Sequence, residues 1–96
     1  MSRERAFYLI TYDIPNDRRR LKVAKALEAL GERVQYSVFE AWLTPKELRT
    51  LKVRLDRLLE SSEDSVRIYV LCAACQARVQ TLGCGQVTAP PGVVIL

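Results

Sequence analysis

Ala6-Phe7-Tyr8-Leu9-Ile10-Thr11-Tyr12-Asp13-Ile14-Pro15-Asn16-Asp17-Arg18-Arg19-Arg20 is the stretch whose reading decides the fold. Residues 6–13 are rich in aromatic and β-branched side chains and read as a strand. Alternation puts Phe7, Leu9, Thr11 and Asp13 on one face and Tyr8, Ile10 and Tyr12 on the other. Pro15 and Asn16 make a turn, and Asn16 or Asp17 is placed to cap a helix. That helix should run from about residue 17 to 30, with Val23, Ala26, Leu27 and Leu30 as its apolar stripe. Gly31 stands where a C-cap would end it. The strand thus ends in a lone carboxylate beside three arginines. Carboxylates suit hard divalent cations and arginines suit phosphate, so the pairing suggests phosphodiester chemistry or nucleic-acid binding.

Outward from this start, Arg33 to Leu43 is a second β region, too long for one short strand. A tight reversal near Tyr36-Ser37 would divide it in two. Thr44-Pro45-Lys46-Glu47 then opens a helix, with threonine as cap, proline at the first position and Glu47 completing a capping box. Leu48, Leu51, Leu55, Leu58 and Leu59 repeat at helical spacing to about residue 60 and read as core. After the polar loop 61–64, Ser65 to Cys72 reads as a strand with Val66, Ile68 and Val70 on one face. Arg78 to Leu82 suggests a further short strand, and Val93-Val94-Ile95-Leu96 an apolar tail that is tucked in or added to a sheet edge.

This order predicts an α+β fold: a ferredoxin-like βαββαβ sandwich, its antiparallel sheet covered by both helices on one face, with an extra C-terminal strand. Residues 1–82 form the domain and 83–96 a tail able to pack on a partner subunit. The second sheet face still carries apolar side chains, and a second copy of the sheet would cover it. A symmetric homodimer follows.

Composition narrows the chemistry. Ninety-six residues make one small domain, which gains stability from association. The net charge of +4 fits a nucleic-acid partner. The absence of histidine removes the commonest general base and zinc ligand, leaving carboxylates, metal-bound water, tyrosine or cysteine. No leader-like pattern follows the charged start and no apolar run approaches the roughly 20 residues that span a bilayer, so a cytoplasmic protein without a membrane partner is expected. Cys72, Cys75 and Cys84 are read as buried small hydrophobes. Cys72 and Cys75 have C-x-x-C spacing, but a zinc site lacks a fourth ligand, and the redox form follows a strand at a helix start, whereas this pair closes the apolar run from Val66.

Tyr12-Asp13-Ile14, the basic helix after it and Arg33-Val34-Gln35-Tyr36-Ser37-Val38-Phe39-Glu40 together resemble one family over about residues 6–72. It is the small CRISPR-associated endoribonuclease, the second of the two core spacer-adaptation proteins. The resemblance implies a ferredoxin-like homodimer in which Asp13 of each subunit faces its twin and the two hold one Mg²⁺ or Mn²⁺. It makes Asp13 both catalytic and metal-ligating. Arg20, Lys22, Arg33 and Phe39 match positions that the family uses around its nucleic-acid groove. It also implies association with dimers of the CRISPR integrase in a hetero-oligomer.

Three functional readings use these residues. As an endonuclease acting on RNA or DNA, the protein would rely on metal-activated water, with activity rising with pH as the facing carboxylates ionise. As a non-catalytic scaffold bridging integrase dimers, it would hold duplex phosphates through Arg18, Arg19, Arg20, Lys22 and Lys25, with Arg33 a further nucleic-acid-binding residue at the groove the resemblance implies. A toxin-like ribonuclease on the same fold is the third. Tyr12 and Phe39 are read as groove or interface residues. Against all three stands the plain alternative that Asp13 merely caps the following turn.

Overall fold

A computed structural model describes residues 4–90. The elements run β1 (Ala6–Asp13), α1 (Asp17–Glu28), β2 (Glu32–Gln35), β3 (Val38–Leu43), α2 (Pro45–Leu58), β4 (Ser65–Leu71) and a single-turn helix α3 (Ala73–Gln76). The four strands form one antiparallel sheet in the order β2-β3-β1-β4. This is the strand order of the expected ferredoxin-like sandwich.

Local chemistry accounts for the boundaries. Asn16 caps α1, its side chain accepting the Arg19 amide at 3.0 Å. The reciprocal box at α2 is complete: Thr44 Oγ1 accepts the Glu47 amide at 3.2 Å, and Glu47 Oε1 accepts the Thr44 amide at 2.9 Å. The chain reverses at Tyr36-Ser37 between β2 and β3, as anticipated, and a bulge shifts their register between Arg33 and Gln35.

The core lies between the helices and one sheet face. Ile10, Tyr12, Phe39, Ala41 and Leu43 from the sheet meet Val23, Ala24, Leu27, Leu51 and Leu55 from the helices. Burying each large aliphatic or aromatic side chain contributes about 1.5–3 kcal/mol. Val66 and Ile68 pack against this core, but Val70 is exposed, because the groove between α2 and β4 reaches only the first two.

Several expectations are corrected. Gly31 does not end α1 in a left-handed cap; Ala29 takes the cap position in right-handed geometry. The glycine is needed for close packing instead, since a Cβ there would lie 2.5 Å from the Glu40 carbonyl oxygen and 2.8 Å from Ala41 Cβ. The extra strand over residues 78–82 does not form, and no strand follows β4 among the described residues. Part of the proposed tail packs on its own chain: Trp42 Nε1 donates to the Thr88 carbonyl at 2.7 Å, and the Thr88 amide donates to Glu40 at 3.0 Å. These contacts, with an edge-on Phe7–Trp42 ring pair at 5.1 Å, cover part of the sheet face away from the helices. Residues 93–96 lie outside the described residues. All three cysteines are exposed, not buried: Cys72 and Cys75 are at α3, which buries no side chain, and Cys84 is in the irregular segment that follows.

Candidate nucleic-acid interface and metal site

Asp13 ends β1 on the face turned away from the helices. Register places it opposite Ser65, with Thr11 opposite Arg67 on the same face. Its carboxylate is exposed and makes no hydrogen bond or ion pair among the described residues. The plain capping role therefore fails: Asn16 caps the helix and Asp13 caps nothing. No group of three or more carboxylate, cysteine or histidine side chains gathers among the described residues, so one chain offers a cation a single Asp13 carboxylate.

The arginines divide into three environments. Arg18 is exposed on α1 with Lys22 and Lys25, and none has an ion-pair partner among the described residues. Arg19 is committed internally. Its Nε and Nη2 grip Asp64 at 2.7 and 3.2 Å, and Nη2 also reaches Glu63 at 2.7 Å. The Asp64 side chain has no exposed surface, and the Arg19 guanidinium holds its carboxyl below the usual range. Arg19 thus ties the start of α1 to the loop before β4. This removes it from the expected set of phosphate-holding groups, because two carboxylates hold it and one of them, Asp64, has no exposed surface, whereas the Asp17 partner of Arg20 is exposed and open to exchange.

Arg20 turns to a cleft of about 300 Å³ lined by Tyr12, Asp17, Arg20, Leu21, Arg33 and Tyr36. It donates to the Ile14 carbonyl at 3.0 Å and pairs with Asp17. Arg33 enters from β2, donating to the Tyr12 hydroxyl at 3.2 Å, and its guanidinium lies 5.4 Å from the Phe39 ring centroid and 6.0 Å from that of Tyr36. Tyr12 in turn donates to the Tyr36 carbonyl at 3.4 Å. Two arginines therefore converge on one small concavity.

Tyr12 and Phe39 differ from their expected role. Tyr12 is 5% exposed and offers the cleft only its hydroxyl end. Phe39 is wholly buried, so it neither stacks on bases nor lines an interface; it supports Arg33 from below. The burial follows from side-chain alternation, which gives both residues to the face beneath the helices.

Sequence reasoning missed two residues. Arg67 shares the open face with Asp13, one diagonal step across the β1–β4 pair, and donates to Tyr69 at 3.3 Å. The alternation of Ser65, Arg67, Tyr69 and Leu71 carried that signal. Tyr36 reads as a turn residue, yet it walls the cleft and is 74% exposed. Exposed Arg49, Arg54 and Arg57 add further positive charge on α2.

Comparison with known proteins places this arrangement. The family model described as CRISPR associated protein Cas2 matches residues 6–79. A Synechocystis protein named CRISPR-associated endoribonuclease Cas2 3 is 47% identical over 89 residues, covering 93% of this chain and 97% of the relative. The crystal structure of Streptococcus pyogenes Cas2 at pH 6.5 superposes with a TM-score of 0.72 at 40% identity, over 80% of this chain and 99% of that one. A chain of a partial Cas6-RT-Cas1–Cas2 complex gives a TM-score of 0.70 at 32% identity, over 80% and 90% of the two chains. With the strand order, the Tyr12-Asp13-Ile14 strand end and these matches in agreement, the chain belongs to the CRISPR-associated Cas2 family.

Proposed function

We propose that this chain is a CRISPR-adaptation protein with metal-dependent endonuclease activity on RNA or DNA, acting in the cytoplasm as a homodimer alongside the integrase. The observation that carries the reading is the Asp13 carboxylate, exposed at a strand end and uncommitted to any group among the described residues. A carboxylate so placed contributes nothing to the fold, and its relatives are named endoribonucleases. The integrase partnership rests on the relative found in a complex with Cas1.

One carboxylate is a poor Mg²⁺ site. Two, one from each subunit, suit Mg²⁺ or Mn²⁺ when water and a phosphate oxygen complete the shell. Asp13 of each subunit would hold the ion, whose chemistry is to polarise the phosphoryl group and acidify a bound water. The chain's own groups supply the grip. Arg67 is on the same face as Asp13 and is placed to hold a phosphate near it, while Arg20 and Arg33 clamp the backbone at the cleft behind the strand.

Free Arg18, Lys22 and Lys25 favour a duplex-holding scaffold role beside catalysis. Asp13→Ala separates the two. It should abolish metal-dependent cleavage of RNA and DNA substrates while spacer integration with the partner integrase continues. Unchanged cleavage by a dimeric Asp13→Ala protein would overturn the nuclease assignment. Loss of integration in a protein whose sedimentation still reports a dimer would overturn the scaffold role as independent of Asp13.

A further inference from the structure

Cys72 and Cys75 belong to none of the chemistry above. The pair follows a strand and opens a helix: β4 ends at Leu71, Cys72 is the N-cap of α3 and Cys75 is in its first turn. The Cys72 sulfur accepts the Cys75 amide at 3.4 Å, and the Gln76 amide donates to the Cys72 carbonyl at 2.8 Å. The first of these bonds folds the Cys72 sulfur back onto the residue that carries the second thiol. A disulfide needs Cα atoms roughly 4.4–6.8 Å apart and Cβ atoms about 3.8 Å apart, which a small adjustment between a cap residue and the third residue of its helix supplies. Both thiols are exposed, and α3 buries no side chain that would resist the adjustment.

We propose that Cys72 and Cys75 are a redox-active dithiol, closing to an intramolecular disulfide on exchange with a small-molecule disulfide such as oxidised glutathione. The Cys72 thiolate attacks one glutathione sulfur, forming a mixed disulfide and expelling one glutathione thiolate, which takes up a proton. Cys75 gives up its proton and its sulfur attacks Cys72 Sγ, expelling the second glutathione thiolate. Two protein thiols are oxidised by two electrons, and one glutathione disulfide is reduced to two thiols.

The roles are unequal. The Cys75 amide holds the Cys72 thiol below its ordinary pKa, whereas the hydrogen bond to Cys72 raises that of Cys75. Cys72 is therefore the attacking group and Cys75 the resolving one. A metal role fits less well: structural zinc takes four ligands, and no third cysteine, histidine or carboxylate joins the pair among the described residues. The bridge would close the joint between β4 and the segment that reaches Trp42 through Thr88.

The test is intact-mass analysis of the full-length reduced protein after exposure to oxidised glutathione and capping of remaining thiols with N-ethylmaleimide. Wild-type protein should lose two hydrogens, with Cys72 and Cys75 protected from the cap, and dithiothreitol should reverse the loss. Cys75→Ser should stall with one glutathione on Cys72, acquired at least about tenfold faster than on Cys84, an exposed thiol in a separate segment. Independent glutathione adducts on Cys72 and Cys75 of the wild-type protein would overturn the proposal. So would Cys72 reacting no faster than Cys84 in Cys75→Ser.

Discussion

The division of the arginines makes a sharp prediction about salt dependence. Arg18, Lys22 and Lys25 on α1 have no ion-pair partner among the described residues, whereas Arg19 is held by Asp64 and Glu63. If each free cation neutralises one phosphate, α1 alone makes six contacts per dimer and contributes about −5 to the slope of log K against log salt. From that contribution alone, raising salt from about 50 to 200 mM would weaken binding by roughly a thousandfold. Arg18→Ala removes two contacts per dimer and should flatten the slope by about 2, and replacing all three should nearly abolish the α1 contribution. Arg19→Met keeps the apolar stem and removes a charge that meets no phosphate, so the slope should change by less than about 0.5. Fluorescence anisotropy of a labelled duplex across a salt series reads these slopes, with circular dichroism confirming that each variant is folded. A folded Arg19→Met protein with a slope as flat as that of Arg18→Ala would refute the argument.

Two further predictions concern the fold that carries these groups. Gly31→Ala should destabilise by about 1–3 kcal/mol, less the 0.4–1 kcal/mol that a glycine replacement recovers from the unfolded chain, because its Cβ meets Glu40 and Ala41 backbone and side-chain atoms below contact distance. At roughly 4–8 °C per kcal/mol the thermal midpoint should fall measurably, and an unchanged or raised midpoint would show that β3 yields freely. Asp64, held below the ordinary aspartate value near 3.8 chiefly by the Arg19 hydrogen bond, lends stability that is fully present above that value and lost as pH falls through its folded pKa. Thermal midpoints measured from neutral pH to about pH 2 should therefore fall less steeply in Arg19→Met than in the parent, and parallel curves would show that the pair is not responsible.

Most of the fold was legible because it is encoded locally. The ends of β1, the reversal at Tyr36-Ser37, and the caps at Asn16 and Thr44 each depend on residues within a few positions. What was not legible depends on partners far away in sequence. Arg19 reads like its neighbours until Asp64, 45 residues on, is seen to grip it. Gly31 reads as a helix stop until β3 is seen pressing against it. Cys72 and Cys75 read as hydrophobes because they follow directly on the apolar run of β4, but there the chain enters an exposed turn. At the candidate site, the position of Asp13 followed from alternation, but the cleft did not, since it needs β2 and α1 to meet around Tyr12.

The strand end itself explains why Asp13 is available for chemistry. Nothing in the described chain holds its carboxylate, so its presentation must be enforced by its neighbours. Ile10 has no exposed surface and Tyr12 is 5% exposed, and both belong beneath the helices. A slip of one residue would turn Ile10 and Tyr12 to the open face and bring Asp13 into the core, which burial of a charge forbids. The apolar core therefore fixes the register, and the register displays the carboxylate. The same alternation sends the Tyr12 hydroxyl to the opposite face, where it anchors Arg33. Neighbouring residues of one strand thus serve two surfaces: the cleft that carries Arg20 and Arg33 behind the sheet, and a carboxylate on its open side. Because the Asp13 carboxylate makes no hydrogen bond or ion pair among the described residues, Asp13→Ala should leave stability nearly unchanged, and lost cleavage in that variant then reads on chemistry alone.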